Sequence, residues 1–139
     1  MRILGVDYGL KRIGIATGET DVKMAFAREA ISAHGTPAKD AKTVSEYARK
    51  ELCQMIVVGL PLHLSGGDSK QAKITKEFGN ELEKTGMKIS YWDERYTTSQ
   101  AEQNLEYMNK DKRKKFADSE AARIILQEFL DNYNEETNI

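Results

Sequence analysis

The sequence predicts an α/β domain in which a mixed five-stranded sheet is flanked by helices, and three observations favour this class. Short apolar runs separated by glycine and polar residues open the chain, as is typical of strands joined by tight turns. Later apolar runs alternate with segments of helical periodicity, which favours parallel strands joined by helical crossovers. The 139 residues, 40% of them hydrophobic, can bury the core of one domain spanning 1–139 without disulfides, since Cys53 is the only cysteine.

The first three elements are predicted to be antiparallel strands. Residues 2–7 (RILGVD) and 12–18 (RIGIATG) are short apolar runs. Gly9 lies in the turn between them, and a third β-like run follows at about 24–31.

A helix and a central strand come next. Thr36 supplies an N-cap and Pro37 a first helical residue, so we expect a helix that runs to about Leu52. Its apolar stripe is formed by Ala41, Val44, Ala48 and Leu52. Residues 55–59 (MIVVG) are a continuous β-branched run, the pattern of a strand that is buried on both faces inside a sheet.

The second half of the chain is predicted to hold one strand and three helices. Asp68 followed by Gln71 resembles a capping box, and the helix that it opens ends at Gly86 with its apolar face formed by Ile74, Phe78 and Leu82. Residues 88–94 form the last strand, and Thr97 with Gln100 opens the next helix. The last helix has its apolar residues at helical spacing, at Ala121, Ala122, Ile125, Phe129 and Tyr133.

Charge gives a first indication about partners and location. The chain carries 21 Lys and Arg against 22 Asp and Glu, and a net charge of −1 argues at first sight against nucleic acid. Four of the acids lie in the last twelve residues, which hold no Lys or Arg, so the first 127 residues carry 21 basic and 18 acidic groups. The first apolar run is cut short by Asp7, so we expect no secretory signal, no membrane segment and a cytoplasmic protein.

Three acids stand where an acid is locally out of place. Asp7 ends an apolar strand, and Gly9 leaves room for a metal or phosphate, although an Asp that caps a turn is the alternative. Glu94 ends the last strand at the edge where open sheets bind ligands, although it could instead pair with Arg95. Asp118 falls on the apolar stripe of the last helix, near its predicted start, so we expect it to be buried and to meet a cation.

These acids predict a divalent metal site. With only two His and one Cys, the chain is poorly suited to zinc, whereas carboxylates from three elements suit Mg²⁺ or Mn²⁺. Two such ions would activate a water and stabilise the leaving oxygen of a phosphodiester. We therefore interpret Asp7, Glu94 and Asp118 as both catalytic and metal-binding residues.

Basic residues beside these acids are candidates for substrate binding. Lys11 and Arg12 follow the turn after Asp7, and Arg95 follows Glu94. The run from Lys110 to Lys115 is expected to be a loop that overhangs the acids, where phosphates would be bound by Lys112, Arg113 and Lys114. Solvated surface residues are the alternative for each of them.

Four segments resemble, in order and spacing, the bacterial YqgF family, also called RuvX. They are residues 7–14 (DYGLKRIG), 56–61 (IVVGLP), 93–98 (DERYTT) and 118–122 (DSEAA). The resemblance implies an RNase H-like fold related to the RuvC Holliday-junction resolvases, and a nuclease that matures the 5′ end of 16S ribosomal RNA. It also implies that Asp7, Glu94 and Asp118 are the metal-binding acids, with structured RNA, branched DNA or ribosomal precursor particles as partners.

Three other functions stay open. A four-way-junction resolvase would use the same metal centre but must cut two strands together and therefore needs a dimer, whereas we expect a monomer or a weak homodimer. An actin-like or sugar-kinase-like ATP-binding domain also opens with an Asp-x-Gly hairpin, but it needs a second domain that this chain is too short to supply. A ribosome-assembly module without catalysis would keep the fold and not the chemistry.

Overall fold

The computed structural model describes residues 1–61, 70–93 and 110–134, with the backbone alone for 110–116. The described residues form one five-stranded sheet. Its strands are β1 (Arg2–Tyr8), β2 (Arg12–Glu19), β3 (Met24–Ser32), β4 (Met55–Leu60) and β5 (Lys88–Asp93). They lie in the order β3-β2-β1-β4-β5, so β1 is the middle strand and β4 lies between β1 and β5.

The sheet is mixed, as the sequence predicts. β1 pairs antiparallel with β2, and β2 pairs antiparallel with β3. β4 is parallel to both β1 and β5, because helical crossovers bring the chain back to the same end of the sheet before each of these strands. Residues 55–59 are all buried, which confirms the prediction of a strand covered on both faces.

Three helices cover the sheet in the described part of the chain. They are α1 (Pro37–Lys50), α2 (Lys70–Lys84) and α3 (Lys110–Asp131). α1 and α2 pack on one face of the sheet, where Phe78 and Leu82 are fully buried. Of these described helices, α3 alone packs on the other face, through a stripe that includes Ile125 and Phe129. Burying each of these side chains stabilises the fold by about 1.5–3 kcal/mol.

The first helix is shorter than predicted. It begins with the predicted Thr36 cap, whose hydroxyl accepts a hydrogen bond from the Lys39 N–H, but it ends at Lys50. Leu52 has φ +61 and is 78% exposed, so its expected place on the buried stripe is wrong. The left-handed residue lets the chain reverse into β4, and the Cys53 N–H then closes the helix end on the Ala48 carbonyl.

The last helix is longer than predicted. Lys110–Lys115 is not a loop but the beginning of α3, which makes Asp118 the ninth residue of a continuous helix. The run contains no Gly or Pro, and Lys and Arg are good helix formers. Asp118 therefore lies more than one turn beyond the positive end of the helix dipole, which acts only over the first turn.

Three predicted elements lie wholly or partly outside the described residues. β5 is described to Asp93, and both Glu94 and the helix that opens at Thr97 lie outside the described ranges. The capping residue Asp68 lies outside them too. No helix in the described ranges is long and apolar enough to cross a membrane.

Candidate active site

The candidate site lies at the edge of the sheet where β1, β4 and β5 end. Because these three strands are parallel, their carboxyl ends meet at one edge, which is where open α/β sheets bind ligands. Asp7 is the last residue but one of β1, and Asp93 ends β5. The strand β2 begins at the same edge with Arg12.

Gly14 brings Asp7 close to Asp118. Asp7 pairs with Gly14 across the β1–β2 ladder. A Cβ atom placed on Gly14 would lie only 2.0 Å from the carbonyl oxygen of Asp118, so the backbone of α3 rests directly on β2 at this point. Only glycine permits this approach, and it leaves no side chain between the two acids.

The register of β1 against α3 supports the same arrangement. A Cβ atom on Gly5 would lie 3.0 Å from the carbonyl oxygen of Ala122, so Gly5 faces α3, and Asp7 shares that face because side chains alternate along a strand. Two strand residues advance about 6.6 Å, and the four helix residues from Ala122 back to Asp118 advance about 6 Å. Asp7 therefore reaches α3 at the turn that carries Asp118.

Ser119 fixes α3 to β2 beside the two acids. Its buried hydroxyl accepts a hydrogen bond of 3.0 Å from the Ile15 N–H, at a point where the β2–β3 ladder shifts its register. A buried backbone donor without a partner would be destabilising, so this bond both satisfies the irregular strand and fixes the helix. Sequence reasoning missed Ser119, although a small polar residue on an apolar helix stripe was a usable signal.

Asp118 is less buried than expected and meets a different cation. Its side chain is 41% exposed, which corrects the prediction that it points away from solvent. The cause is geometric: Ser119 and Glu120, which follow it, are buried, whereas Ala117 before it is exposed, so Asp118 lies at the border between the two environments. A cation does meet it, since Nη1 of Arg12 lies 3.2 Å from Oδ2 of Asp118. Arg12 is 69% exposed, and such pairs contribute only about 0–1 kcal/mol to stability.

Tyr8 holds the end of β1 from the other face of the sheet. Its hydroxyl donates a 2.5 Å hydrogen bond to Oδ2 of Asp40, and its ring stacks on Phe78. Burial, reinforced by the hydrogen bond from the hydroxyl to Asp40, raises the pKa of Tyr8 far above its ordinary value, so the phenol stays protonated. Nε2 of Gln71 donates to the Tyr8 carbonyl at 3.1 Å, a contact that its predicted capping role did not anticipate.

Of the other predicted site residues, Lys11 is the one whose side chain the structure describes. The Lys11 side chain is exposed at the turn between β1 and β2. Lys112, Arg113 and Lys114 lie on the first two turns of α3. Glu94 and Arg95 lie outside the described ranges, so the expected third acid is not among the residues that the structure brings together. Within those ranges, no three acid, His or Cys side chains cluster as metal ligands.

The two described acids suit a hard divalent cation in chemical terms. Asp7 and Asp118 offer carboxylate oxygens, the ligands that Mg²⁺ and Mn²⁺ prefer. They come from different elements whose relative position is fixed by Gly14 and Ser119. Two carboxylates at one edge of a sheet favour a bound positive charge, and Arg12 already supplies one beside Asp118.

Sequence comparisons identify related proteins. The RuvX family, described as Holliday junction resolvase, matches residues 1–132. A curated relative from Protochlamydia amoebophila (strain UWE25) is named "Putative pre-16S rRNA nuclease". It is 38% identical over 142 residues, which cover 94% of this chain and 93% of that protein.

Solved structures share the fold at low sequence identity. T. thermophilus RuvC in complex with Holliday junction substrate has a TM-score of 0.53 at 16% identity, over 94% of this chain and 93% of that chain. This likeness confirms the expected RNase H-like fold. A ROK family protein from Streptococcus pneumoniae TIGR4, in complex with sucrose, has a TM-score of 0.52 at 12% identity, over 73% of this chain but only 37% of that chain.

Proposed function

Since the chain belongs to the RuvX family of Holliday junction resolvases, we propose that it is a metal-dependent nuclease that hydrolyses phosphodiester bonds in precursor 16S ribosomal RNA. The observation that carries this proposal is the approach of α3 to β2 at Gly14, which brings Asp7 and Asp118 to one edge of the sheet. The name of the relative from P. amoebophila supports RNA as the substrate.

Asp7 and Asp118 would hold the metal, with Glu94 as a third ligand. Glu94 directly follows Asp93, where β5 ends at the same edge as β1. When bound, Mg²⁺ or Mn²⁺ supplies electrostatic stabilisation of the charge that develops on the phosphate and activates the attacking water. The carboxylates would hold the ion at the edge where β1, β4 and β5 end, and their negative charge would favour its binding.

The basic residues of the edge would bind the phosphates of the nucleic acid. The guanidinium of Arg12 already lies beside Asp118 and is exposed enough to donate to a phosphate oxygen next to the cleaved bond. Lys11 and Arg95 would contact the flanking backbone. Lys112, Arg113 and Lys114, at the beginning of α3, would bind phosphates farther from the acids, as would suit RNA within a ribosomal precursor particle.

A cleavage assay tests this function. A 16S precursor fragment with a 5′ extension, incubated with Mg²⁺ or Mn²⁺, should be cut by the wild-type chain and should stay intact with a chelator. Asp7→Asn should abolish cutting, because the amide carries no charge for the metal. Asp21→Asn, which neutralises an exposed acid in the turn between β2 and β3, at the opposite edge of the sheet, is the matched control and should cut at the wild-type rate. Cleavage by Asp7→Asn at the wild-type rate would contradict the proposal.

A junction resolvase is the second candidate, and the description of the family favours it. The same assay separates the two functions when a four-way DNA junction is added as a second substrate. A resolvase would cut the junction symmetrically and behave as a dimer in solution, because two strands must be cut together. Cutting of the RNA by a chain with monomeric mass would favour rRNA processing.

A further inference from the structure

Asp40 is a buried carboxylate that the proposed chemistry does not use. It lies in the first turn of α1, on the opposite face of the sheet from α3, and is only 1% exposed. Oδ2 accepts the Tyr8 O–H and Oδ1 accepts the His34 N–H, each at 2.5 Å. Removing a carboxylate from water is unfavourable unless hydrogen bonds compensate for the lost hydration, so these two bonds stabilise Asp40 in its buried position.

Tyr8 is fixed on three sides. Besides its bond to Asp40, its ring lies parallel to that of Phe78, with centroids 4.1 Å apart and an interplanar angle of 4°. Its carbonyl accepts from Gln71, and its backbone pairs with Ile13 in the sheet. Residues of α1, α2 and β2 therefore hold the last residue of β1 where a strand end would otherwise fray.

Asp7 precedes Tyr8 directly and points to the other face of the sheet. Because successive side chains alternate, any shift of the Tyr8 backbone moves the Asp7 carboxylate on the α3 face. The next residues form the turn to β2, where Gly9 has no side chain and the side chains of Leu10 and Lys11 are exposed. The hold on Asp7 from the carboxyl-terminal side therefore comes through Tyr8.

We propose that Tyr8 and Asp40 are positioning residues that, through their mutual hydrogen bond across the sheet, set the place of the Asp7 carboxylate relative to Asp118. The proposal rests on the metal-dependent nuclease function. It makes the α1–α2 layer part of the site, although none of its described residues lies on the face that carries the two acids. Outer residues that orient a metal ligand typically affect metal affinity by 10–100-fold.

Tyr8→Phe tests the proposal, because it keeps the ring stacked on Phe78 and removes only the hydroxyl. Mn²⁺ binding is measured by calorimetry well below the melting temperature, and RNA cleavage is measured in parallel. We expect Mn²⁺ affinity to fall about tenfold. We also expect kcat to fall by a similar factor while KM for the RNA stays within about twofold, because the basic residues are untouched.

Two further variants separate positioning from stability. Ser45→Ala removes another buried hydroxyl of α1, one that donates to the Lys42 carbonyl, and should bind Mn²⁺ like the wild type. Asp40→Ala should lose at least as much Mn²⁺ affinity as Tyr8→Phe, and adding Tyr8→Phe to it should change little, because both variants remove the Tyr8–Asp40 hydrogen bond. If Asp40→Ala does not fold, the Mn²⁺ affinity of Tyr8→Phe still tests the positioning proposal.

The outcomes are distinct. Wild-type Mn²⁺ affinity in Tyr8→Phe overturns the positioning proposal and leaves the nuclease function standing. A lower melting temperature in Tyr8→Phe with unchanged Mn²⁺ affinity overturns it as well, since that is the result of a structural role alone. If the wild-type chain itself binds no Mn²⁺ and cuts no RNA, the nuclease function fails and the positioning proposal fails with it.

Discussion

Gly14 sets the distance between the helix that carries Asp118 and the strand that carries Asp7. A Cβ at this position would meet the Asp118 carbonyl at 2.0 Å, which no real contact permits. The neighbouring atom is backbone, so the clash can be relieved only if α3 moves away from β2. A single methyl group at position 14 should therefore both strain the core and displace Asp118.

Gly14→Ala should destabilise the chain and weaken its metal binding. Overpacking typically costs about 1–3 kcal/mol, and the value here should lie at the upper end because backbone must move. Gly5→Ala is the matched control, since its Cβ would also meet α3, at 2.7 Å from Cβ of Leu126, but about two turns away from Asp118. Urea unfolding should show a loss in both variants, whereas calorimetry should show weaker Mn²⁺ binding only in Gly14→Ala. A Gly14→Ala chain that unfolds like the wild type would contradict this packing.

Single residues show how far the sequence could predict the site. Asp7 and Asp118 stand out in the sequence because each acid interrupts an apolar pattern, a signal carried by a few neighbouring residues. The partners of Tyr8, Ser119 and Gly14 could not be predicted in this way, because each meets a residue far away in the chain. The Arg12–Asp118 pair, for example, joins residues 106 positions apart.

At the scale of elements, α3 shows why a charged run is difficult to assign. Lys110–Lys115 has no apolar periodicity, so only the second half of the helix could be predicted from its stripe. Lys and Arg are nevertheless good helix formers, and this propensity is the signal that could have indicated a helix here. Because the first turns of α3 are not predicted from the stripe, Asp118 is wrongly expected near the beginning of the helix.

Neutralising Lys112, Arg113 and Lys114 together should weaken RNA binding and its dependence on salt. If each contacts one phosphate of single-stranded RNA, the slope of log affinity against log salt should fall by about 2. The matched control neutralises Lys42, Lys50 and Lys84, which are exposed on the helices of the opposite face. Equal slopes for the two triple variants, measured by filter binding, would restore the alternative that this run is a solvated surface.

At the scale of the whole molecule, the architecture was the most predictable feature. Five apolar runs and the periodic helices between them determine which segments can be buried, and the crossovers then make β4 and β5 parallel to β1. The register of α3 against the sheet is harder to predict. It depends on close contacts at glycines, and these contacts form only when the helix packs on the sheet. That register brings Asp7 and Asp118 to the same edge of the sheet.

The net charge of −1 acquires a different meaning in this arrangement. Three of the acids are proposed metal ligands, and four more lie in the last twelve residues. Without these seven, the chain carries 21 basic and 15 acidic groups. A balance near zero is therefore compatible with a nucleic-acid partner, provided that a divalent metal occupies the acids.

The most direct test of the central claim, that Asp7 and Asp118 form one metal centre, is the shift in melting temperature caused by Mn²⁺. A Mn²⁺ concentration of 100 times its Kd should stabilise the wild type by about 2.7 kcal/mol, which corresponds to a rise in melting temperature of roughly 5–10 °C. Asp7→Asn and Asp118→Asn should each lose most of this rise, the double variant should lose no more than either, and Asp21→Asn should keep it. A full wild-type shift in either single variant would contradict the claim.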